Sequence, residues 1–291
     1  MMIAQSEKII DDKIESILSL IFEKTGNDYS QYKRGVIIKR IRRRMSIVKC
    51  SDLDEYLKYL LENEDEIINL HKSFTIKVTN FFRDLNEYKT FNNLILPELI
   101  KNKYFFLKEN NLIQNENEEY IPLIKVWSVG CSIGCEPYSL AILFHRYLNL
   151  VKKKINIQIL ATDIDDDSLE YAKKGVFEKY FLNDIPIELF DKYFIRTEAY
   201  KYTINNEVKN LVEFQKHSII SDKLFYGFDL IICRNLIIYF LNSLQNKILT
   251  RLINSLNIGG YLWLGKSEFI PSSLKHLVRP INNKTKIYIK I

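Results

Sequence analysis

The sequence predicts an α/β protein in which a small all-helical N-terminal domain precedes a doubly wound, mostly parallel sheet domain. Three observations predict it. Up to about Leu70 the apolar residues recur at helical spacing, as at Ile14, Ile17, Leu18 and Ile21, and no run alternates with period two. From Ile124 onward, apolar strand-like runs alternate with amphipathic segments of roughly 10 to 15 residues, the pattern of βαβ crossovers. The length of 291 residues suits two domains, since an average domain has roughly 150.

The elements follow in order. Gly26 and Asn27 break the first helical stretch. Lys33 to Lys49 carries Ile37, Ile41, Met45 and Val48 as an apolar seam, and if helical throughout it makes a rod of about 25 Å. Ser51 and Asp52 are N-cap candidates for a helix over 53–61. A further helical stretch runs through Leu94 and Leu99, and the Asn- and Glu-rich segment 109–119 reads as a loop, so a linker is expected over about 84–120. Then come a strand at 124–129, a helix at 136–148, a strand at 155–162 and a helix at 166–177. Later strands are expected at 211–214, 228–233, 261–265 and 285–291. The domains are therefore drawn at 1–76 and 77–291.

Composition narrows the function classes. With 47% hydrophobic and 27% charged residues, the chain is neither disordered nor of low complexity. No uncharged apolar run reaches the roughly 18 residues of a membrane span, and the start lacks a basic segment followed by an apolar core, so a cytoplasmic location is expected. The four cysteines are too few and scattered for a disulfide framework. Cys131 and Cys135 have no second Cys or His pair nearby, so no metal is expected and the thiols read as small buried residues. The net charge of +6 is modest, but Lys33, Arg34, Lys39, Arg40, Arg42, Arg43, Arg44 and Lys49 concentrate it in one stretch, which favours an acidic partner over a merely solvated face.

The loop after the first strand carries chemistry. Glycine is scarce, nine residues in all, against a usual share of roughly 7%. Yet Gly130 and Gly134 bracket the passage from strand to helix, where a ligand needs close backbone approach, and Pro137 suits the first helical turn. The G-x-x-x-G spacing is neither the dinucleotide fingerprint nor a P-loop. Asp163 ends the next strand, about one βαβ unit of ~30 residues further on, where an acid accepts ribose hydroxyls. Asp165 to Asp167 do not make a calcium loop, because Ser168 and Lys174 occupy the glycine and glutamate positions, so they read as charge at a helix start. A nucleoside ligand without a pyrophosphate-type motif is most simply S-adenosylmethionine.

Four strings, Thr79-Asn80-Phe81-Phe82-Arg83-Asp84, Gly134-Cys135-Glu136-Pro137-Tyr138-Ser139, Ala161-Thr162-Asp163-Ile164-Asp165 and Cys233-Arg234-Asn235-Leu236-Ile237-Ile238-Tyr239-Phe240, together resemble the CheR family of chemotaxis receptor methyltransferases. The resemblance covers nearly the whole chain. It implies a Rossmann-like S-adenosylmethionine-dependent methyltransferase domain with a small antiparallel insert at about 176–210. It also implies methyl transfer to glutamate side chains of receptor cytoplasmic domains, with S-adenosylhomocysteine as product. Carried across, the cofactor-binding residues are Lys77, Thr79, Arg83, Glu136, Asp163, Ser218, Ile219, Arg234 and Asn235. Arg83 is expected at the methionine carboxylate, Asp163 at the ribose, and the turn of Ser218 and Ile219 near the adenine. Lys77 and Ser218 stand where the family usually has Asn, and Cys135 replaces the first of a glutamate pair. Arg83 and Tyr239 are expected nearest the chemistry, and Arg40, Arg43 and Arg44 as substrate-binding cations docking an acidic receptor helix. Phe194 to Asn210, without glycine, leads to the expectation that a receptor tail peptide is not bound tightly. The chain is expected to act as a monomer without nucleic acid. A nucleic-acid methyltransferase and a non-catalytic CheR-like adaptor that binds S-adenosylmethionine stand as the alternatives.

Overall fold

A computed structural model describes residues 2–74, 79–109, 121–282 and 285–291, and the chain divides into two compact units. The first contains residues 1–76 together with 239–245. It is built on α1 (Met2–Thr25), α2 (Arg34–Val48), α3 (Leu53–Glu62) and α4 (Glu64–Phe74). The helical spacing read from the sequence becomes one core in which Ile14, Ile17, Ile21, Ile37, Ile41, Tyr56, Leu60 and Leu70 are buried. α2 stops where Lys49 turns left-handed at φ 62°, its N–H returning to the Met45 carbonyl. Asp52 caps α3, its side chain accepting from the amides of Asp54 and Glu55. The 239–245 segment joins this unit through local bonds: Lys33 N donates to the Tyr239 carbonyl at 2.8 Å, Leu241 N to the Gln31 carbonyl at 2.9 Å, and the Phe240 ring stands edge-on to Tyr32.

The second unit opens with α5 (Leu85–Thr90), a π-helical turn (Phe91–Ile95) and α6 (Leu96–Glu109). This corrects the expected linker over 84–120. Phe91, Ile95, Leu96, Leu99 and Ile100 are buried in the unit's main core, and Phe91 stacks on Trp263 with ring centroids 5.0 Å apart. Residues 110–120 lie outside the described residues. The chain then runs through β1 (Leu123–Val129), α7 (Cys135–Val151), β2 (Asn156–Asp163), α8 (Asp166–Lys174), β3 (Val176–Glu178), α9 (Ile187–Tyr193), β4 (Phe194–Glu198) and β5 (Lys201–Ile204). It ends with α10 (Asn206–Lys209), β6 (Val212–Lys216), β7 (Phe228–Cys233), α11 (Asn242–Ser255), β8 (Leu256–Leu264), β9 (Val278–Pro280) and β10 (Ile287–Lys290).

The main sheet has the order β6-β2-β1-β7-β8-β10-β9. The first five strands are parallel, and β10 and β9 complete the edge antiparallel. The central strands β1 and β7 read as largely apolar runs because successive residues, which point to opposite faces, are both buried. β3, β5 and β4 form the small antiparallel sheet within 176–204. Strand order steps from β1 to β2 and β6 on one side and to β7 and β8 on the other. The crevice outside the carboxyl ends of β1 and β7 is therefore the topological switch point, where open α/β sheets bind ligands.

Candidate functional site

The loop leaving β1 is shaped by its two glycines. Gly130 has φ +70°, and its amide and that of Cys131 both donate to the Thr162 carbonyl at 2.8 and 2.9 Å, pinning the loop over the end of β2. Gly134 has φ +91°, and a Cβ there would stand 2.9 Å from the Ala172 Cβ and 3.2 Å from the Phe214 ring. Only glycine provides both the backbone and the space. Between them Ser132, at φ +50°, directs its amide onto Asp163 Oδ2 at 2.8 Å, while Asp165 N donates to Oδ1 at 3.0 Å. The Asp163 carboxylate is thus fixed by backbone amides at the end of β2, that of Ile164 among them. Burial pushes its pKa up, against those amide bonds.

Glu136 lies in the first turn of α7, where the helix dipole favours an acid. It accepts from Ser128 Oγ at 2.8 Å and stands 3.9 Å from Arg234. Burial pushes the Glu136 carboxyl up, opposed by the Arg234 guanidinium and the Ser128 hydroxyl. Arg83 also acts on it: its charge lowers the pKa of both Glu136 and Asp84, placing the guanidinium within electrostatic reach of the site.

Arg234 follows β7, and its side chain is 2% exposed. One guanidinium nitrogen is 2.9 Å from Asp84 and 2.9 Å from Glu87, and both terminal nitrogens donate to the Arg83 carbonyl at 3.2 Å. The Trp263 and Tyr88 rings flank it, 5.0 and 5.4 Å from its central carbon. Lys266 joins the network on the other Asp84 oxygen at 2.6 Å. Burial would raise the Asp84 carboxyl, but Lys266 and Arg234 together outweigh it and hold it below its ordinary value. The sequence reading gave Arg234 to a cofactor. The structure gives its terminal nitrogens to the Arg83-to-Glu87 segment, which it fastens over the switch point.

The remaining sequence-derived positions can be placed. Thr79 is half-buried and hydrogen-bonds the Cys135 thiol, whose pKa burial pushes up. Asn235 follows Arg234 in a left-handed conformation at φ +58°. Ser218 and Ile219 follow β6, and the preceding His217 amide donates to the Asp163 carbonyl at 3.0 Å. Ser218 closes a tight turn, its amide on Asp222 Oδ2 and its Oγ accepting from Ser221 N, while Ile219 is buried. Lys77 lies outside the described residues. Thr79, Arg83, Glu136, Asp163, Ser218, Ile219, Arg234 and Asn235 all belong to the second unit, whereas Tyr239 and Arg40, Arg43 and Arg44 belong to the first. Arg44 makes an internal pair there: its Nε lies 2.8 Å from Glu66, which is 4% exposed and also accepts from the Tyr56 hydroxyl at 2.8 Å. Arg43 is exposed and Arg40 half-exposed.

Asp84, Glu87, Ser128, Ser132 and Glu268 were missed by the sequence reading. Asp84 stood within a recognised string, and Glu268 follows Gly265 at short spacing in a glycine-poor chain. Among the described residues, no group of three or more His, Cys, Asp or Glu side chains could hold a metal. Among the described residues four buried polar side-chain atoms lack a partner: Arg251 Nε on α11, and Ser132 Oγ, His217 Nδ1 and Arg234 Nε on residues that follow β1, β6 and β7. Orphaned polar atoms there, beside a prepared Asp163 carboxylate, fit a polar nucleoside-bearing ligand.

Sequence models of two domains match the chain: a CheR methyltransferase SAM binding domain over residues 77–287 and a CheR methyltransferase all-alpha domain over residues 12–75. An uncharacterized 104.1 kDa protein of Rhodobacter capsulatus is 31% identical over 256 residues, 88% of this chain, and the chain spans 25% of that protein. A chemotaxis protein methyltransferase of Borreliella burgdorferi is 28% identical over 266 residues, covering 90% of this chain and 89% of the relative. Chemotaxis protein methyltransferase 1 of Pseudomonas aeruginosa is 30% identical over 208 residues, with 70% of each chain covered.

Proposed function

The chain belongs to the CheR methyltransferase family, and we propose that it transfers a methyl group from S-adenosylmethionine to glutamate side chains of chemotaxis receptors, forming methyl esters for sensory adaptation. The observation that carries this reading is the Asp163 carboxylate, held by two backbone amides at the switch-point crevice of a domain that the SAM-binding model matches along its length. The receptors are proposed as substrates because several relatives bear the name chemotaxis protein methyltransferase. A cytoplasmic, monomeric enzyme working without a metal is part of the same proposal.

The chemistry asks for position and not for a base. A glutamate side chain, with a reference pKa of about 4.3, is already ionised at neutral pH and needs no general base. When bound, S-adenosylmethionine supplies an electrophilic methyl group on a positively charged sulfonium. Asp163 is proposed to accept the ribose hydroxyls, and Arg83, with its planar fork, to hold the donor's carboxylate. Thr79, Glu136, Asn235, Ser218 and Ile219 complete the proposed pocket. Arg234 is assigned a different part: its contacts order the segment that presents Arg83. Such alignment can contribute several of the ~7 to 11 kcal/mol available from positioning. Tyr239 is the second residue proposed near the chemistry, to be checked by Tyr239→Phe. In the helical unit Arg40 and Arg43 are proposed to dock the acidic receptor helix.

The test incubates the protein with methyl-labelled S-adenosylmethionine, receptor cytoplasmic fragments, RNA and DNA. Base-labile label on the receptor fragment supports the proposal. Stable label on nucleic acid, or donor binding with no transfer to any of them, would replace it with a nucleic-acid enzyme or a non-catalytic adaptor respectively.

A further inference from the structure

Glu268 is a further buried acid at the switch point, beside Asp163 and Glu136, and it ties the turn after β7 to the end of β8. Its residue is 2% exposed. One carboxylate oxygen accepts from Gly265 N at 2.7 Å and Asn235 N at 3.1 Å, and the other from Leu236 N at 2.9 Å and Ile237 N at 3.0 Å. A carboxylate offers about four lone-pair sites, and all are taken. Glu268 therefore has no capacity left for a ligand, and its effect must pass through what it holds.

What it holds is the Arg234–Asn235 turn. Asn235 has φ +58°, a left-handed conformation that Asn tolerates better than most residues but that persists only when the surroundings enforce it. Gly265 makes the enforcement possible. A Cβ at that position would stand 2.9 Å from Asn235 N, 2.9 Å from Glu268 Oε2 and 3.3 Å from Asn235 Nδ2. The bare backbone lets the carboxylate, the Asn235 amide and the Asn235 side chain share one small space. Burial pushes the Glu268 carboxyl up, with the four amide bonds opposing it.

We propose that Glu268, with Gly265, is a positioning residue for the methyl-donor site: its carboxylate locks Asn235 left-handed, so that the Asn235 side chain faces the crevice and the Arg234 guanidinium meets the Arg83-to-Glu87 segment in one arrangement. This role rests on the donor-site reading above. Glu268→Gln keeps size but has one acceptor oxygen, leaving two of the four N–H groups facing an NH2. Gly265→Ala presses on the same contact from the opposite side and serves if the Gln variant does not fold.

Two measurements decide. Amide hydrogen exchange of the ligand-free protein should quicken at least ~10-fold at Asn235, Leu236 and Ile237 in Glu268→Gln. Calorimetric titration with S-adenosylhomocysteine should show Kd raised about 10-fold or more in each variant, as loss of charged hydrogen bonds in one turn would give, with unchanged stoichiometry. A fall in stoichiometry at constant Kd would mean that Glu268 only supports folding, and Kd values within about twofold of wild type would overturn the role directly. Wild-type protein that does not bind S-adenosylhomocysteine overturns the donor-site reading itself, and this role with it.

Discussion

Arg44→Ala in the helical unit should open that unit, whereas Arg43→Ala, its neighbour in the sequence, should not. Arg44 is bound by Nε and a terminal nitrogen to Glu66, whose residue is 4% exposed and which also accepts from the Tyr56 hydroxyl. Removing one partner of a buried ion pair costs about 3–5 kcal/mol because the other charge stays buried. The surviving Tyr56 hydroxyl puts the expectation at the lower end, about 3 kcal/mol, or roughly 10²-fold in an opening equilibrium. Hydrogen exchange by mass spectrometry over α2 and α4 reads this unit by itself. Exchange there should quicken on the order of 100-fold for Arg44→Ala and within about threefold for exposed Arg43→Ala. The double variant Arg44→Met with Glu66→Leu should recover most of the loss, since an apolar pair can replace a buried ionic one. An Arg44→Ala protein that exchanges within threefold of wild type would refute the buried-pair argument and return Arg44 to the docking face.

The remaining predictions concern both units. Asp163→Asn places an NH2 against the amide of Ser132 or Asp165, so S-adenosylhomocysteine affinity should fall about 10- to 100-fold in calorimetry, and an unchanged Kd would remove the ribose assignment. Glu136→Gln should alter stability with a defined pH sign. The folded pKa of Glu136 is raised, chiefly by burial, so its contribution is full below the unfolded value of ~4.5 and is lost as pH rises through the folded value. The variant's melting advantage should therefore grow from about pH 4.5 to about pH 8, read by fluorescence of Trp127 and Trp263, which lie in the second unit. A constant difference would contradict it. Arg40→Glu with Arg43→Glu should cut receptor methylation at least ~10-fold at low salt while leaving S-adenosylhomocysteine binding unchanged, and equal methylation would end the docking proposal. Receptor tail peptides should bind no more tightly than high micromolar, and low-micromolar binding would overturn that expectation.

Much of the second unit was legible because its parallel strands bury residues of both faces, so Ile124 to Val129 and Phe228 to Cys233 read as largely apolar runs, interrupted by Lys125, Ser128 and Asp229 and closed by Gly or a charged turn. The glycine loop and Asp163 were legible for a related reason: a strand end, a helix start and a ligand-facing backbone each restrict residue choice over a few positions. The segment over 84–109 was legible in part. The helical stretch through Leu94 and Leu99 was read, but its place in the core was not, because the stacking of Phe91 on Trp263 depends on a partner far away in the sequence. The 239–245 segment, which groups with the helical unit, is the same kind of case, since backbone bonds from Lys33 and to Gln31 leave no periodic trace.

Charged residues show most sharply where pattern reading ends. Arg42, Arg43 and Arg44 are identical letters in one run, yet Arg44 faces Glu66 while Arg43 meets solvent, and α2 turning about 100° per residue is enough to separate them. Arg83 and Arg234 both lie in family strings, yet the terminal nitrogens of Arg234 bind Asp84, Glu87 and the Arg83 carbonyl. A spacing rule gives the face of a helix but not what lies across from it, and what lies across decides whether a guanidinium holds a partner or holds the fold. Burial decides that part: at 2% exposure Arg234 must have its carboxylates, because an unpaired buried charge costs several kcal/mol, roughly what a marginal domain has to spare. Arg234→Ala should consequently loosen Arg83 before it alters any direct ligand contact. Arg234→Lys, a point charge without the fork, should restore folding more fully than donor affinity.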